Sequence, residues 1–478
     1  MADGDNGVAG TGGVVIDEAV LKGTLTAALR AGGDFAEVFV EDTRTSSAVL
    51  EDGKIEEVNS GRDRGAGIRV LAGDTTGYAH TADLTESGLR VAAEAAGAAA
   101  RGGGGDVRVA DLSRTDAARE YTPEVLPETV EKIRKVEMLT RADAAARGSD
   151  RSIRQVMARY FDKRRRILIA NSDGLLTGDD QVRTFFGVQA VAAGDTGLQT
   201  GGRSHARTMG FELFDRVDVE EAARDAARMA ATKLDARPAP SGELPVVIAA
   251  GGGGVLFHEA CGHGLEADLV KKDASRFAGL MGEQVASPLV TIVDDGTMGS
   301  EWGVFAIDDE GHAARRNVLI EDGVLTDYMW DWLRSRADGR EPSGNGRRET
   351  YQHLPMVRMT NTYLMGGESD PDEIVAQTEY GVFVAELGGG QVDTATGDFV
   401  FGTREAYLIE DGKITAPIRD ANLIGNGLDV LRDIDVVGND FAMGRNGGMC
   451  GKDGQSVPVG VGQPTLRVAR MTVGGTAA

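Results

Sequence analysis

Residues 244–268 read LPVVIAAGGGGVLFHEACGHGLEAD. An apolar run, four consecutive glycines and a second apolar run predict a buried strand, a tight turn and a helix. Nucleotide-binding folds can begin the same way, so the residues after the glycines decide between the alternatives. No Gly-Lys-Ser/Thr succeeds Gly251–Gly254, and no GxGxxG register with a spaced acid is present, which argues against a phosphate loop. The helix instead carries His258, Glu259 and His263. Two imidazoles beside one carboxylate are the minimum apparatus for metal-assisted hydrolysis.

The spacing is unusual. In the HExxH pattern of many zinc proteases the histidines are four residues apart and share one face of an α-helix. In HExxxH they would diverge by about 140° at roughly 100° per residue. An i→i+5 turn brings them back to within about 50°, so the sequence predicts a π-type distortion, and Gly262 lowers its steric cost. The chain has only six histidines in 478 residues. Two of them flanking Glu259 directly after a glycine turn favour a metal site over two unrelated core histidines.

Catalytic zinc takes three protein ligands and leaves a position open for water. The residues offer two candidates for the third. Glu266 follows His263 by one helical turn, and carboxylates bind zinc. Cys450 lies within Gly447-Gly448-Met449-Cys450-Gly451-Lys452, where glycines free the backbone to present a thiolate and Lys452 favours the ionised form. The residues alone leave this choice open. The helical direction of Cys261 takes it away from the ion.

Bulk properties exclude several classes of function. A net charge of −24 argues against a nucleic-acid partner, because phosphate contacts require a basic surface. The basic run Lys163–Arg166 reads as a solvated strand end. Two cysteines are too few for a disulfide framework, no secretion signal is visible, and no run of eighteen apolar residues occurs. The expectation is a soluble cytoplasmic protein without membrane contact.

The pattern along the chain predicts an α+β protein. Residues 1–13 read as a disordered tail and 14–122 as an α/β N-terminal domain. Residues 123–241 form a mixed middle domain of helix and long strands, and 242–478 a largely β C-terminal domain carrying the inserted HExxxH helix. Strands are expected at 36–41, 47–51, 54–58, 67–72, 153–161, 166–171 and 182–193. Asp52-Gly53, Asp322-Gly323 and Asp411-Gly412 each follow a Leu/Ile-Glu pair and read as repeated hairpin turns. Gly388–Gly390 could let an extended peptide add to a sheet edge, which nominates Gly389. His353 and Arg358 are candidates for contact with substrate or oxyanion.

Taken together, HEACGHGLEAD, LEDGKIEEV, RGAGIRVL, PMVRMTNTYL, GGGQVDTATGDFVFG and GGMCGKDGQ resemble the TldD/PmbA family of metalloproteases, specifically its TldD branch. The resemblance spans nearly the whole chain. It implies one zinc ion held by His258, His263 and Cys450, with Glu259 as the catalytic glutamate, and so favours sulfur as the third ligand. Glu266 matches the final acid of the motif and is assigned to orienting a ligand histidine or tightening the helix. The resemblance also implies proteolysis of unfolded or leader-type peptides, in complex with a metal-free TldE/PmbA-type paralog. Two rival readings are a self-sufficient homodimeric peptidase and a non-catalytic regulatory zinc protein of the gyrase-modulator type.

Overall fold

The computed structural model describes residues 16–100, 107–116, 118–119 and 121–474; the tail expected at 1–13 lies outside them. Order in the first half is built on four long strands. Phe35–Glu51 and Lys54–Ala72 form one antiparallel hairpin. Asp52 and Gly53 close it with φ of 48° and 73°, the left-handed pair that a two-residue hairpin turn requires. The separate short strands expected at 36–41 and 47–51 are thus one strand, and those at 54–58 and 67–72 another. Apolar alternation lapses over Asp42–Ser46, but the ladder continues because Arg62 makes two 2.8 Å bonds to Asp42, which Arg166 also pairs.

Ile153–Asn171 is likewise one strand and not two. The basic run within it is no solvated strand end. Arg165 is buried and binds Asp309 at 2.7 Å, while Arg164 pairs with Asp180 at 2.7 Å and Glu128 at 2.6 Å. Acids distant in sequence hold these cations in mid-strand, which local periodicity cannot reveal.

The strand order is Thr75–Thr81, Lys54–Ala72, Phe35–Glu51, Ile153–Asn171 and Leu175–Gly194, with Ser113–Arg114 and Gly197–Arg207 both on the last. Because Glu37 lies opposite Asn171 in this ladder, segments 14–122 and 123–241 share a single sheet. Helices Glu18–Leu29 and Glu86–Ala100 bury Leu21, Leu25, Leu89 and Ala93 against Val38, Ile68 and Val70 at one end of one face. Lys132–Ser149 and Val219–Leu234 cover the other end through Leu139, Ala142, Ala223 and Ala226. The opposite face meets the C-terminal domain, where Phe39, Ile167 and Ile169 pack on Ile307 and Tyr351. Buried ion pairs flank this seam: Glu37 binds Arg69 at 2.8 Å and Arg348 at 2.5 Å, and Arg69 binds Glu310 at 2.7 Å. Removing one member of such a pair costs about 3–5 kcal/mol, so the two halves are firmly coupled.

From Gly242 onward the chain is largely β, as expected. In one sheet the ladder closes on itself, because Tyr380–Val392 pairs with both Gly242–Ile248 and Asp398–Glu410, and Asn422–Asn426 and Leu466–Gly474 complete the ring. A second sheet contains Ile292–Asp295, Asn361–Leu364, Gln455–Gln463 and, paired to the last, Gly448–Lys452. The helical segment after the glycine run buries Leu256, Phe257, Ala260, Cys261 and Leu265 in one core with Val246, Val384, Phe401 and Val457. Among the described residues, no helix is long and apolar enough to cross a membrane.

Candidate metal centre

The glycine run admits close backbone contacts. A Cβ at Gly252 would lie 2.1 Å from the Ala385 carbonyl, and one at Gly254 would lie 2.5 Å from the Gly462 nitrogen. The chain then passes through one α-turn, Val255–Phe257, into a π-turn, His258–Gly262, and a 3-10 turn, His263–Leu265. The His263 amide donates to the His258 carbonyl, so the i→i+5 bond spans the two histidines themselves. Their rings lie 5.0 Å apart at 82°. Gly262 serves this turn differently from the expectation. Its φ of −53° and ψ of −55° suit any residue, but a Cβ there would sit 2.2 Å from Met359 Sδ.

Cys450 arrives from the second sheet. It lies on the strand Gly448–Lys452, in a hairpin with Gln455–Gln463 closed by Asp453 and Gly454 at φ of 49° and 77°. This is the same Asp-Gly chemistry seen in the other hairpins, a signal that also places Cys450 on a strand. Its Sγ lies 3.2 Å from His258 Nε2 and 3.3 Å from His263 Nε2. Ligand atoms of the three residues all fall within 4.8 Å of one another.

Two nitrogens and a sulfur, turned inward and nearly buried, form a donor set suited to zinc. In a tetrahedral zinc site sulfur and nitrogen stand about 3.5 Å apart, so small ring shifts bring these donors to ligand distance. The three groups also lie within hydrogen-bond reach of one another. Burial opposes charge on Cys450, but the His258 and His263 rings pull its pKa down to about 4. Lys452, expected to stabilise the thiolate, instead turns its ammonium to Glu266 and Asp268 at 3.0 and 2.7 Å.

Glu266 is fully buried and accepts from His263 Nδ1 at 3.1 Å, leaving Nε2 facing the thiolate. Burial works against its charge, yet His263 and Lys452 hold its carboxyl well below the usual range. Burial also opposes charge on His263, but Glu266 and Cys450 raise its pKa well above the ordinary value. Among the described residues His258 has no such partner, and its buried Nδ1 makes no hydrogen bond to them. Cys261 points into the core and donates to the Phe257 carbonyl, with burial pushing its thiol up to about 12.

A cleft of about 780 Å³ opens over these donors. Glu259 lines it, with Oε2 4.0 Å from His263 Nε2. Gly389 lines it as well, within a stretch where the Tyr380–Val392 ladder skips from Leu387 to Gly390. His353 and Arg358 are not brought to this lining. His353 Nδ1 faces Thr350 Oγ1 at 2.9 Å, beside the N-terminal sheet residue Tyr78, whose hydroxyl donates to the His353 carbonyl. Arg358 is fully buried behind Cys450 and donates to the carbonyls of Cys450 and Gln455, so it braces the hairpin and does not line the cleft.

The descriptions of matching families fit this geometry. PmbA/TldA metallopeptidase domain 1, central domain and C-terminal domain match residues 36–100, 126–234 and 241–475. A metalloprotease TldD homolog of Haemophilus influenzae is 41% identical over 449 residues, covering 93% of each chain. Two solved structures share the fold. A candidate modulator of a DNA gyrase from Thermotoga maritima has a TM-score of 0.79 at 24% identity, covering 96% of this chain and 100% of that one. TldE from Thermococcus kodakarensis has a TM-score of 0.76 at 20% identity, covering 95% and 100%. With family models along its length and a relative of this identity, the chain belongs to the PmbA/TldD family of metallopeptidases.

Proposed function

We propose that this metallopeptidase holds one zinc ion through His258, His263 and Cys450, uses Glu259 as its proton carrier, and cleaves unfolded or leader-type peptides beside a TldE-type subunit. The observation that carries the reading is the convergence of three donors and the Glu259 carboxylate at one cleft. Bound there, zinc supplies Lewis acidity, polarising a carbonyl and acidifying water.

The chain's own residues supply the rest. Glu259, on the cleft wall, accepts a proton from the attacking water and returns it to the leaving amine. Glu266 fixes the tautomer of His263 through Nδ1, so that Nε2 keeps its lone pair for the ion. Gly388–Gly390, Gly447, Gly448 and Gly451 present bare backbone to the cleft, with the exposed Met449 side chain between the last two. That suits an extended peptide recognised through its main chain, which folded proteins do not offer. Only three donors are grouped among the described residues, whereas structural zinc usually has four, so a purely structural ion is disfavoured. The fold shared with a TldE structure supports a paralogous partner.

The test combines zinc quantification with cleavage of an unstructured peptide by wild type and Glu259→Gln, each with and without the paralog. Glu259→Gln is expected to retain zinc and lose about 10²–10⁴-fold in rate. A zinc-loaded variant cleaving at the wild-type rate would reject Glu259, and equal activity without the paralog would reject the two-subunit arrangement.

A further inference from the structure

Lys452 stands two residues beyond Cys450 and is almost completely buried. An ammonium in such a place needs acceptors for all three of its protons. It has them in Glu266 Oε2 at 3.0 Å, Asp268 Oδ1 at 2.7 Å and the Val357 carbonyl at 3.1 Å. Among the described residues Glu266 Oε1 has no hydrogen-bond partner, and one oxygen, Oε2, receives both Lys452 and His263 Nδ1.

These contacts form a closed circuit. It runs from the His263 ring to Glu266, from Glu266 to Lys452, along two residues of strand to Cys450, and from Cys450 Sγ back to His263 Nε2 at 3.3 Å. His263 belongs to the helical segment and Cys450 to a hairpin of the second sheet. A lysine that merely neutralised two acids could sit anywhere around them. This one is on the same short strand as the sulfur, so its position fixes the sulfur relative to the imidazole.

We propose that Lys452 is a positioning residue, which fastens the Cys450 hairpin to His263 through Glu266 and thereby sets the separation of two donors. The proposal rests on the ligand assignment above. Lys452 touches neither donor atom; it acts through Glu266 and through the strand.

Cobalt(II) is the probe, because its thiolate-to-metal charge-transfer absorption reports the sulfur, and its d–d bands report coordination number. Lys452→Met is expected to weaken cobalt binding by about 10–100-fold, the range for loss of a partner behind a ligand. It should also weaken the charge-transfer band relative to the d–d bands. Glu266→Gln should weaken binding as well, and adding Lys452→Met to it should cost less than about threefold more, because coupled residues are not additive. Lys271→Gln, which removes a nearby exposed cation that binds Asp338, serves as the charge control and should bind cobalt normally.

Wild-type affinity and an undiminished charge-transfer band in Lys452→Met would overturn the proposal, as would fully additive losses in the double variant. Should Lys452→Met be insoluble, the same cycle with Lys452→Gln decides. Cys450→Ser separates the two levels of inference. If it leaves cobalt binding intact, the ligand assignment fails; if it abolishes the band while Lys452→Met does not, only the positioning role fails.

Discussion

Gly262→Ala distinguishes two explanations of the π-turn that predict opposite signs. If only the backbone mattered, alanine should stabilise the protein by about 0.4–1 kcal/mol, because φ of −53° and ψ of −55° are helical and the unfolded chain loses entropy. The packing argues the reverse. The new methyl would lie 2.2 Å from Met359 Sδ, whereas carbon and sulfur normally approach to about 3.7 Å, so the thioether must move by roughly 1.5 Å. Met359 is fully buried, and overpacking of this kind costs about 1–3 kcal/mol. For a unit the size of the C-terminal domain the loss corresponds to a fall of about 2–6 °C in the thermal midpoint. Differential scanning calorimetry of metal-free protein avoids any contribution from a bound ion. Met359→Ala in the Gly262→Ala background should recover about 1–2 kcal/mol relative to the sum of the single changes. An alanine variant as stable as wild type, or more so, would refute the packing argument.

Cys450→Ser should lower zinc affinity by more than about 100-fold, beyond the usual effect of an outer partner, while Cys261→Ala should leave zinc content unchanged; inductively coupled plasma mass spectrometry on dialysed protein reads both. His205 supplies a pH prediction. Burial, then repulsion from Arg445, Arg207 and Arg203, lowers its pKa from 6.5 to about 4. Between those values the unfolded chain takes up a proton that the folded protein refuses, so stability falls as pH drops from 6.5 to about 4. The contribution is at most about 3 kcal/mol, and about 1–2 after allowing for solvent screening. His205→Gln should flatten the thermal midpoint across that window; an unchanged slope would exclude the histidine.

The centre is more legible in the sequence than the scaffold. A five-residue interval between histidines implies an i→i+5 turn by helical geometry alone, and His263 N–H does bond the His258 carbonyl. Glycines around Cys450 point to exposed backbone, although the Asp453-Gly454 turn is the stronger sign of a hairpin. The long strands read as fragments because Asp42, Arg164 and Arg165 interrupt apolar alternation while their partners lie elsewhere in the chain. The same limit applies to Arg358 and His353. A polar side chain near a motif suggests contact with a ligand, but only coordinates reveal that Arg358 turns back to two main-chain carbonyls. Gly262 is opaque for a related reason: its constraint comes from Met359, which no local pattern connects to it.

The seam between the sheet and the C-terminal domain bears on synthesis. Glu37 can meet Arg69 after only 32 more residues, but Arg348 follows by 311. At roughly 5–20 residues per second, that second cation leaves the ribosome about 16–62 s after its carboxylate. Until Ile307 and Tyr351 have followed, Phe39, Ile167 and Ile169 lack their covering side chains, and an apolar face remains open to solvent and chaperones. The first half of the chain is therefore born with an unfinished surface. Stalled nascent chains ending before residue 300 should be cleaved by protease at this sheet, and longer chains that expose residue 351 should resist.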